Sequence, residues 1–293
     1  MGDGDISDFG ISAALLTPFG DDGRINVPLF CAHAQDLLAR GVNGITPFGT
    51  TGEGASIGMA ERSDAISSLL ASGIAPEKIT LGIASCALDD AIAQVQQGIG
   101  FGVTAFLVLP PFYFKGIGDE GLFEWHQRLF AAVDDRARFV LYHIPQVSHV
   151  PLSIDLVLQL CAHFPQRIMA IKDSSGDWEN TRALIETGRV PVLVGDERLL
   201  HKAAAFGAAG SICGMANLYP ERMRRLFDSR SQDTSLSADV DAIVSVPVIP
   251  ALKLVMVERS GSNDWRHLRA PLYPLKGDAR AAVLARFAGK MLA

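Results

Sequence analysis

Between residues 11 and 213, short apolar runs alternate with longer segments of helical apolar spacing, and the alternation repeats eight times. Strands are expected at residues 11–19, 44–48, 79–84, 105–109, 139–144, 168–171, 190–194 and 211–213. Helices are expected at 27–40, 59–71, 89–99, 120–133, 154–161, 179–186 and 199–206. Continuous apolar runs of this length suit strands buried on both faces, the condition of a parallel sheet. Strand-helix alternation with parallel strands demands right-handed crossovers, and eight units close into a (β/α)8 TIM barrel. A doubly wound open sheet is the alternative. Against it, no GxGxxG follows the first strand, and the polar strand exits are spread over most of the strands instead of meeting at one switch point. From about residue 218 the pattern turns helical, with Pro247 and Pro250 interrupting an apolar stretch and a last helix at 278–292. The expected organisation is one domain, a barrel over residues 1–225 with a C-terminal helical region over 226–293, and 293 residues suffice for it.

In such a barrel the chemistry sits where strands end. The sixth strand runs into Lys172-Asp173-Ser174-Ser175-Gly176. An ammonium at the end of a buried strand loses hydration, which favours the neutral amine that attacks carbonyl carbon, so Lys172 is a candidate Schiff-base nucleophile. The bland reading is a lysine that snorkels to water. The second strand ends in Gly49-Thr50-Thr51-Gly52-Glu53-Gly54. Its threonine hydroxyls and backbone amides suit a carboxylate, or simply make a tight turn. Tyr142 ends the fifth strand as a proton relay or as a core tyrosine. Tyr113, within Phe112-Tyr113-Phe114, is packing, an interface plug or a second relay. Asp196 and Glu197 suit substrate hydroxyls, although acids at a helix N-terminus also have a structural reason.

Composition narrows the function classes. A net charge of -6 and a pI near 5.6 argue against a nucleic-acid or anionic-membrane surface and favour a small-molecule enzyme. The acidic N-terminus lacks a basic, apolar leader pattern, so a cytoplasmic protein is expected. Cys31, Cys86, Cys161 and Cys213 form no CxxC pair and read as small core residues. The seven histidines show no HxxxH spacing, so no metal site is expected.

Over nearly its whole length the chain resembles the dihydrodipicolinate synthase and N-acetylneuraminate lyase superfamily, the Schiff-base class I aldolases. The likeness rests on Thr17-Pro18-Phe19, Gly49-Thr50-Thr51-Gly52-Glu53, Tyr142-His143-Ile144-Pro145, Ile171-Lys172-Asp173, Gly195-Asp196-Glu197, and Ile249-Pro250 with Lys253. It implies an imine between Lys172 and pyruvate or another 2-oxo acid, without any cofactor. It also implies Tyr142 as the proton shuttle, Gly49, Thr50 and Thr51 around the acid's carboxylate, and Ile212 of the eighth strand against the substrate. Tyr113 would reach the site of a neighbouring subunit, within a homotetramer built from two tight dimers. Synthases of this family carry an arginine two residues after the proline of the tyrosine motif. Val147 stands there, and an apolar side chain makes no bidentate bond to a semialdehyde carboxylate. Val147-Ser148, Ser174 and the Asp196-Glu197 pair instead resemble the lyase branch. The expected activity is cleavage or formation of a carbon-carbon bond of a 2-oxo acid, a sugar-derived one that releases pyruvate. The alternatives are 4-hydroxy-tetrahydrodipicolinate synthase and a 2-keto-3-deoxy sugar acid dehydratase. A binding protein for a keto acid is the non-enzymatic reading.

Overall fold

A computed structural model describes residues 9–290. Its strands are β1 Gly10–Ala13, β2 Gly44–Ile45, β3 Thr80–Ile83, β4 Ala105–Val108, β5 Arg138–His143, β6 Ile168–Asp173, β7 Val192–Val194 and β8 Gly210–Cys213. Between and after them lie α1 Val27–Ala39, α2 Met59–Ala71, α3 Leu88–Gly100, α4 Asp119–Ala132, the short α5 Pro145–Ser148, α6 Ile154–His163, α7 Trp178–Glu186, α8 Glu197–Phe206 and α9 Pro220–Ser229. The C-terminal region adds α10 Thr234–Val244, α11 Val248–Ser260 and α12 Gly277–Phe287.

Every strand pair in the ladder is parallel, in the order β2-β1-β8-β7-β6-β5-β4-β3. The two ends of that order meet through a parallel bridge between Ile45 and Ile79, and Gly82 N–H donates to Pro47 O at 2.9 Å beside it. The sheet is therefore a nearly closed barrel, as the alternation predicts. Strands that close in this way have a side-chain period of two, one set inward and one toward the helices. On β5, Val140 and Tyr142 belong to the inner apolar cluster, whereas Phe139 and Leu141 belong to the outer one under the helices. On β6 the inner residue is Ala170 and the outer one Ile171. The same period aims Lys172 inward and Asp173 outward, where Asp173 accepts from Thr181 Oγ1 at 2.7 Å, Asn180 Nδ2 at 3.0 Å and Ser175 N–H at 2.9 Å. Those bonds tie the end of β6 to the start of α7.

Several expected boundaries shift for local reasons. The first two strands are shorter than residues 11–19 and 44–48, because the ladder stops well before Pro18 and before Phe48, whose φ of 61° lies outside the strand region. Helix α8 starts two residues earlier than expected, since Asp196 caps it by accepting from Arg198 N–H at 3.0 Å. The last helix ends at Phe287 instead of 292, ahead of Gly289 with a φ of 77°. Residue 225 falls inside α9, which packs on β1 and α8. Among the described residues, no single helix is long and apolar enough to cross a membrane.

At Gly82 of β3, a Cβ atom would lie 2.3 Å from Phe48 O and 2.5 Å from Gly49 N, at the root of the glycine-threonine loop. Gly82→Ala is expected to cost about 1–3 kcal/mol through overpacking against backbone that has no room to move. A urea midpoint equal to that of the parent protein would show that the loop yields freely.

Candidate active site

The outcome of the period-two argument is that Lys172, only 5% exposed, stands inside the barrel mouth beside Tyr142, its register partner on β5. Its Nζ lies over the Tyr142 ring, 4.2 Å from the centroid, and the Tyr142 hydroxyl is 3.4 Å from Thr50 Oγ1. Two lysines are buried among the described residues, Lys172 and Lys253. Lys253 is ion-paired with Glu53; Lys172 makes no hydrogen bond or salt bridge among the described residues. Buried cations are nearly always paired, so an unpaired amine at the end of a barrel strand marks chemistry more than packing.

Above Lys172 opens a cavity of about 600 Å³ that brings Tyr142, Thr50, Thr51, Ser174, Asp196, Glu197, Ile212 and Val147 to one surface. Of the residues expected at the site, Gly49 and Tyr113 are not on that surface. Gly49 builds the loop, its carbonyl accepting from Gly54 N–H at 3.1 Å. Tyr113 is 75% exposed and rests edge-on against Phe114 at 5.2 Å, away from Lys172 of its own chain.

The polar residues around the cavity differ in what they have left to offer. Ser174 is anchored by its N–H, which donates to His143 O at 2.8 Å, and its hydroxyl packs on Gly195 so closely that a Cβ there would meet Oγ at 1.8 Å. Asp196 is already committed: besides capping α8, it receives Arg198 Nε at 2.9 Å and Nη2 at 2.5 Å. Arg198 sends its remaining Nη1 to Asp241 at 2.8 Å. Glu197 is buried and accepts from Met215 N–H at 2.8 Å. Burial pushes its carboxyl above the usual range, opposed by hydrogen bonds from the Met215 and Glu197 N–H groups and more weakly by the Lys172 charge. Ser148 points into the core, donating to Ile144 O and Val150 O at 3.1 Å each. His143 is turned outward, its Nδ1 accepting from Leu152 N–H at 3.0 Å, and burial lowers its pKa against the pull of Asp173. Among the described residues, no group of three His, Cys, Asp or Glu side chains is placed to hold a metal ion.

Two contributors are missing from the sequence reading. Gln146 clamps the β6 exit, its Nε2 donating to Ser174 O at 2.5 Å. The second is an apolar wall from α10 and α11, including Ile243, Val244 and Val248. The Pro247 and Pro250 interruption was the available signal, since it breaks the helix pair beside the barrel mouth.

Behind the glycine-threonine loop lies its support. Glu53, with a φ of 56°, is buried and binds Lys253 of α11 through Oε1, and its Oε2 accepts from Arg269 N–H at 2.8 Å. Lys253 also donates to His267 O at 2.8 Å. Burial pushes the Lys253 amine down to about 8 despite Glu53. Thr17 Oγ1 donates to Gly52 O at 2.8 Å and holds the loop from the β1 side. The loop that carries Thr50 and Thr51 is thus pinned to the C-terminal region by a buried ion pair.

Comparison with known proteins bears on the family and the fold. Residues 8–287 match the model of the dihydrodipicolinate synthetase family. An uncharacterised DapA-like lyase of Chloroflexus aurantiacus is 34% identical over 287 residues, covering 95% of each chain. A crystal structure of dihydrodipicolinate synthase from Agrobacterium tumefaciens superposes with a TM-score of 0.93 at 37% identity, covering 96% of this chain and 99% of that one. A prophage protein of E. coli K12 solved in complex with pyruvate shares the fold at 21% identity and a TM-score of 0.83, covering 97% of this chain and 98% of that one.

Lys253→Met leaves the Glu53 carboxylate buried without its cation and is expected to destabilise the protein by about 3–5 kcal/mol. Adding Glu53→Gln should recover much of that loss. Urea unfolding of both variants checks this, and equal midpoints for the single variant and the parent would mean the pair contributes nothing.

Proposed function

Because the chain belongs to the dihydrodipicolinate synthetase family, we propose that it is a class I aldolase or lyase that forms an imine between Lys172 and a 2-oxo acid and releases pyruvate. The observation that carries this reading is the buried, unpaired Lys172 amine beside Tyr142, with Thr50 in reach of the tyrosine hydroxyl. Unprotonated Lys172 Nζ attacks C2 of the keto acid, and the carbinolamine loses water with a proton from Tyr142. The protonated imine then accepts the electron pair of the breaking C3–C4 bond, while the C4 hydroxyl proton passes to the Tyr142 oxygen. The aldehyde leaves, the enamine takes a proton at C3, and water returns pyruvate and free Lys172. Thr50, Thr51 and Ser174 supply hydroxyls for the acid's carboxylate at the cavity floor.

The synthase alternative is favoured by likeness to proteins that carry that name, among them the Agrobacterium tumefaciens enzyme at 37% identity. Its second substrate brings a carboxylate that needs a cation. Val147 offers none, and the arginine on the cavity surface, Arg198, is spent on Asp196 and Asp241. A dehydratase would use the same imine, so the choice between the two lyases rests on the second half of the substrate. The sugar-derived acid of the sequence reading relied on the Asp196-Glu197 pair, Ser174 and Val147-Ser148, of which Glu197 and Ser174 line the cavity. Asp196 is held by Arg198, and Ser148 is turned into the core. On this reading the enzyme needs no metal or organic cofactor and acts in the cytoplasm. Its exposed Tyr113 and Phe114 are presented to a second copy within a homotetramer.

Borohydride reduction in the presence of pyruvate is expected to leave one pyruvyl adduct, on Lys172, and none in Lys172→Ala; an adduct on another lysine would remove the central assignment. Tyr142→Phe keeps the ring and deletes the relay, so turnover is expected to fall by about 10²-fold while trapping with pyruvate persists more slowly. A rate near that of the parent would make the tyrosine structural.

A further inference from the structure

The cavity above Lys172 has two unlike parts. Near the lysine it is polar, with the hydroxyls of Thr50, Thr51, Ser174 and Tyr142 and the carboxyl of Glu197. The wall that the C-terminal helices contribute is aliphatic: Val240, Ile243 and Val244 from α10 and Val248 and Ile249 from α11, together with Val147 of α5. Three of these carry substantial exposure, Val147 at 55%, Val244 at 44% and Val248 at 39%. Exposed aliphatic side chains scattered singly need no explanation, but three on the surface of one cavity form a patch suited to an apolar ligand group. Two of the polar groups on the lining are already used as donors. Arg198 is bound to Asp196 and Asp241, and the Gln146 amide donates to Ser174 O.

The hydroxyls of a polyol that faced these aliphatic side chains would give up water without a partner in return, which costs affinity. An alkyl or aryl group would instead be desolvated with gain. Building on the Schiff-base reading, we infer that the half of the substrate that leaves as an aldehyde is apolar, an aryl or branched alkyl aldehyde, and that the C-terminal wall selects it. For the phenyl case, the imine of 4-hydroxy-2-oxo-4-phenylbutanoate breaks its C3–C4 bond. The bonding pair passes into the enamine, and the C4 hydroxyl proton passes to the Tyr142 oxygen. Benzaldehyde departs, C3 is reprotonated, and water releases pyruvate. The sum is one aldol acid to pyruvate and benzaldehyde, with no oxidant or reductant.

The test compares kcat/KM of the full chain for 4-hydroxy-2-oxo-4-phenylbutanoate and for the polyol 2-keto-3-deoxygluconate, read as pyruvate release, beside borohydride trapping with pyruvate alone. The phenyl aldol is expected to be favoured by about 10-fold or more, as hydrophobic pockets discriminate. Replacing the rim with Val244→Ser and Val248→Ser together should lower kcat/KM for the phenyl aldol by about 10-fold, mainly through KM, and shrink its preference over the polyol. A Lys172 adduct together with equal or better cleavage of the polyol, or with cleavage of neither aldol, overturns the apolar assignment and leaves the Schiff-base reading standing. Absence of any adduct and of pyruvate release overturns both.

Discussion

The pairing of β5 with β6 in parallel register is the constraint on which the site depends. It sets Tyr142 opposite Lys172, and the period of two turns both side chains into the barrel while Asp173 faces the helices. A slip of one residue would exchange Lys172 and Asp173 between interior and exterior. Such a slip is opposed on both faces. Ile171 and Leu141 are buried beneath the helices, and Asp173 has three donors waiting, Ser175 N–H ahead of α7 and Asn180 and Thr181 within its first turn.

That register accounts for where the lysine lies, and the C-terminal region accounts for what surrounds it. The Glu53 and Lys253 pair joins α11 to the glycine-threonine loop, and α10 and α11 complete the cavity wall. The C-terminal helices thus serve the site twice, as a brace behind Thr50 and Thr51 and as an apolar wall of the cavity above Lys172. A buried ion pair is an uneconomical way to gain stability, because desolvation offsets most of the attraction. Its value here is positional: Glu53 holds a left-handed backbone conformation and also accepts from Arg269 N–H, so one carboxylate orders three segments that are distant in sequence.

Charge at the cavity is divided by the same logic. Asp196 and Arg198 satisfy each other and cap α8, which leaves neither for a ligand. Glu197, one residue on, is held by Met215 N–H and its carboxyl is pushed up by burial. Adjacent acids at a helix start, both on the cavity surface, therefore divide into one committed to an arginine and one held by a backbone N–H of the β8 exit. No feature of the dipeptide separates them, since the distinction is made by Arg198 and by the β8 exit.

Much of the fold was legible because it rests on local patterns. Apolar runs, amphipathic spacing and glycine-rich exits identify strands, helices and loops from neighbours a few residues away, and helix α2 follows its pattern without a shift. The placement of Lys172, Tyr142, Thr50 and Thr51 on one cavity was legible for the same reason: the first two stand at strand ends and the threonines in the loop that follows β2, and in a parallel barrel strand exits share one face. What the sequence could not supply are relations between groups far apart in the chain. Lys253 meets Glu53 across 200 positions, Arg198 uses up Asp196, Ser148 turns inward, Tyr113 stays away from its own chain's lysine, and α10 and α11 lay valines along the cavity. By itself the sequence determined the barrel and the position of Lys172 at the end of a strand, because alternation and periodicity are properties of short segments. Only the tertiary structure decided which polar groups remain free and what lines the rest of the cavity, because hydrogen-bonding capacity is spent on whichever partner folding brings within about 3 Å.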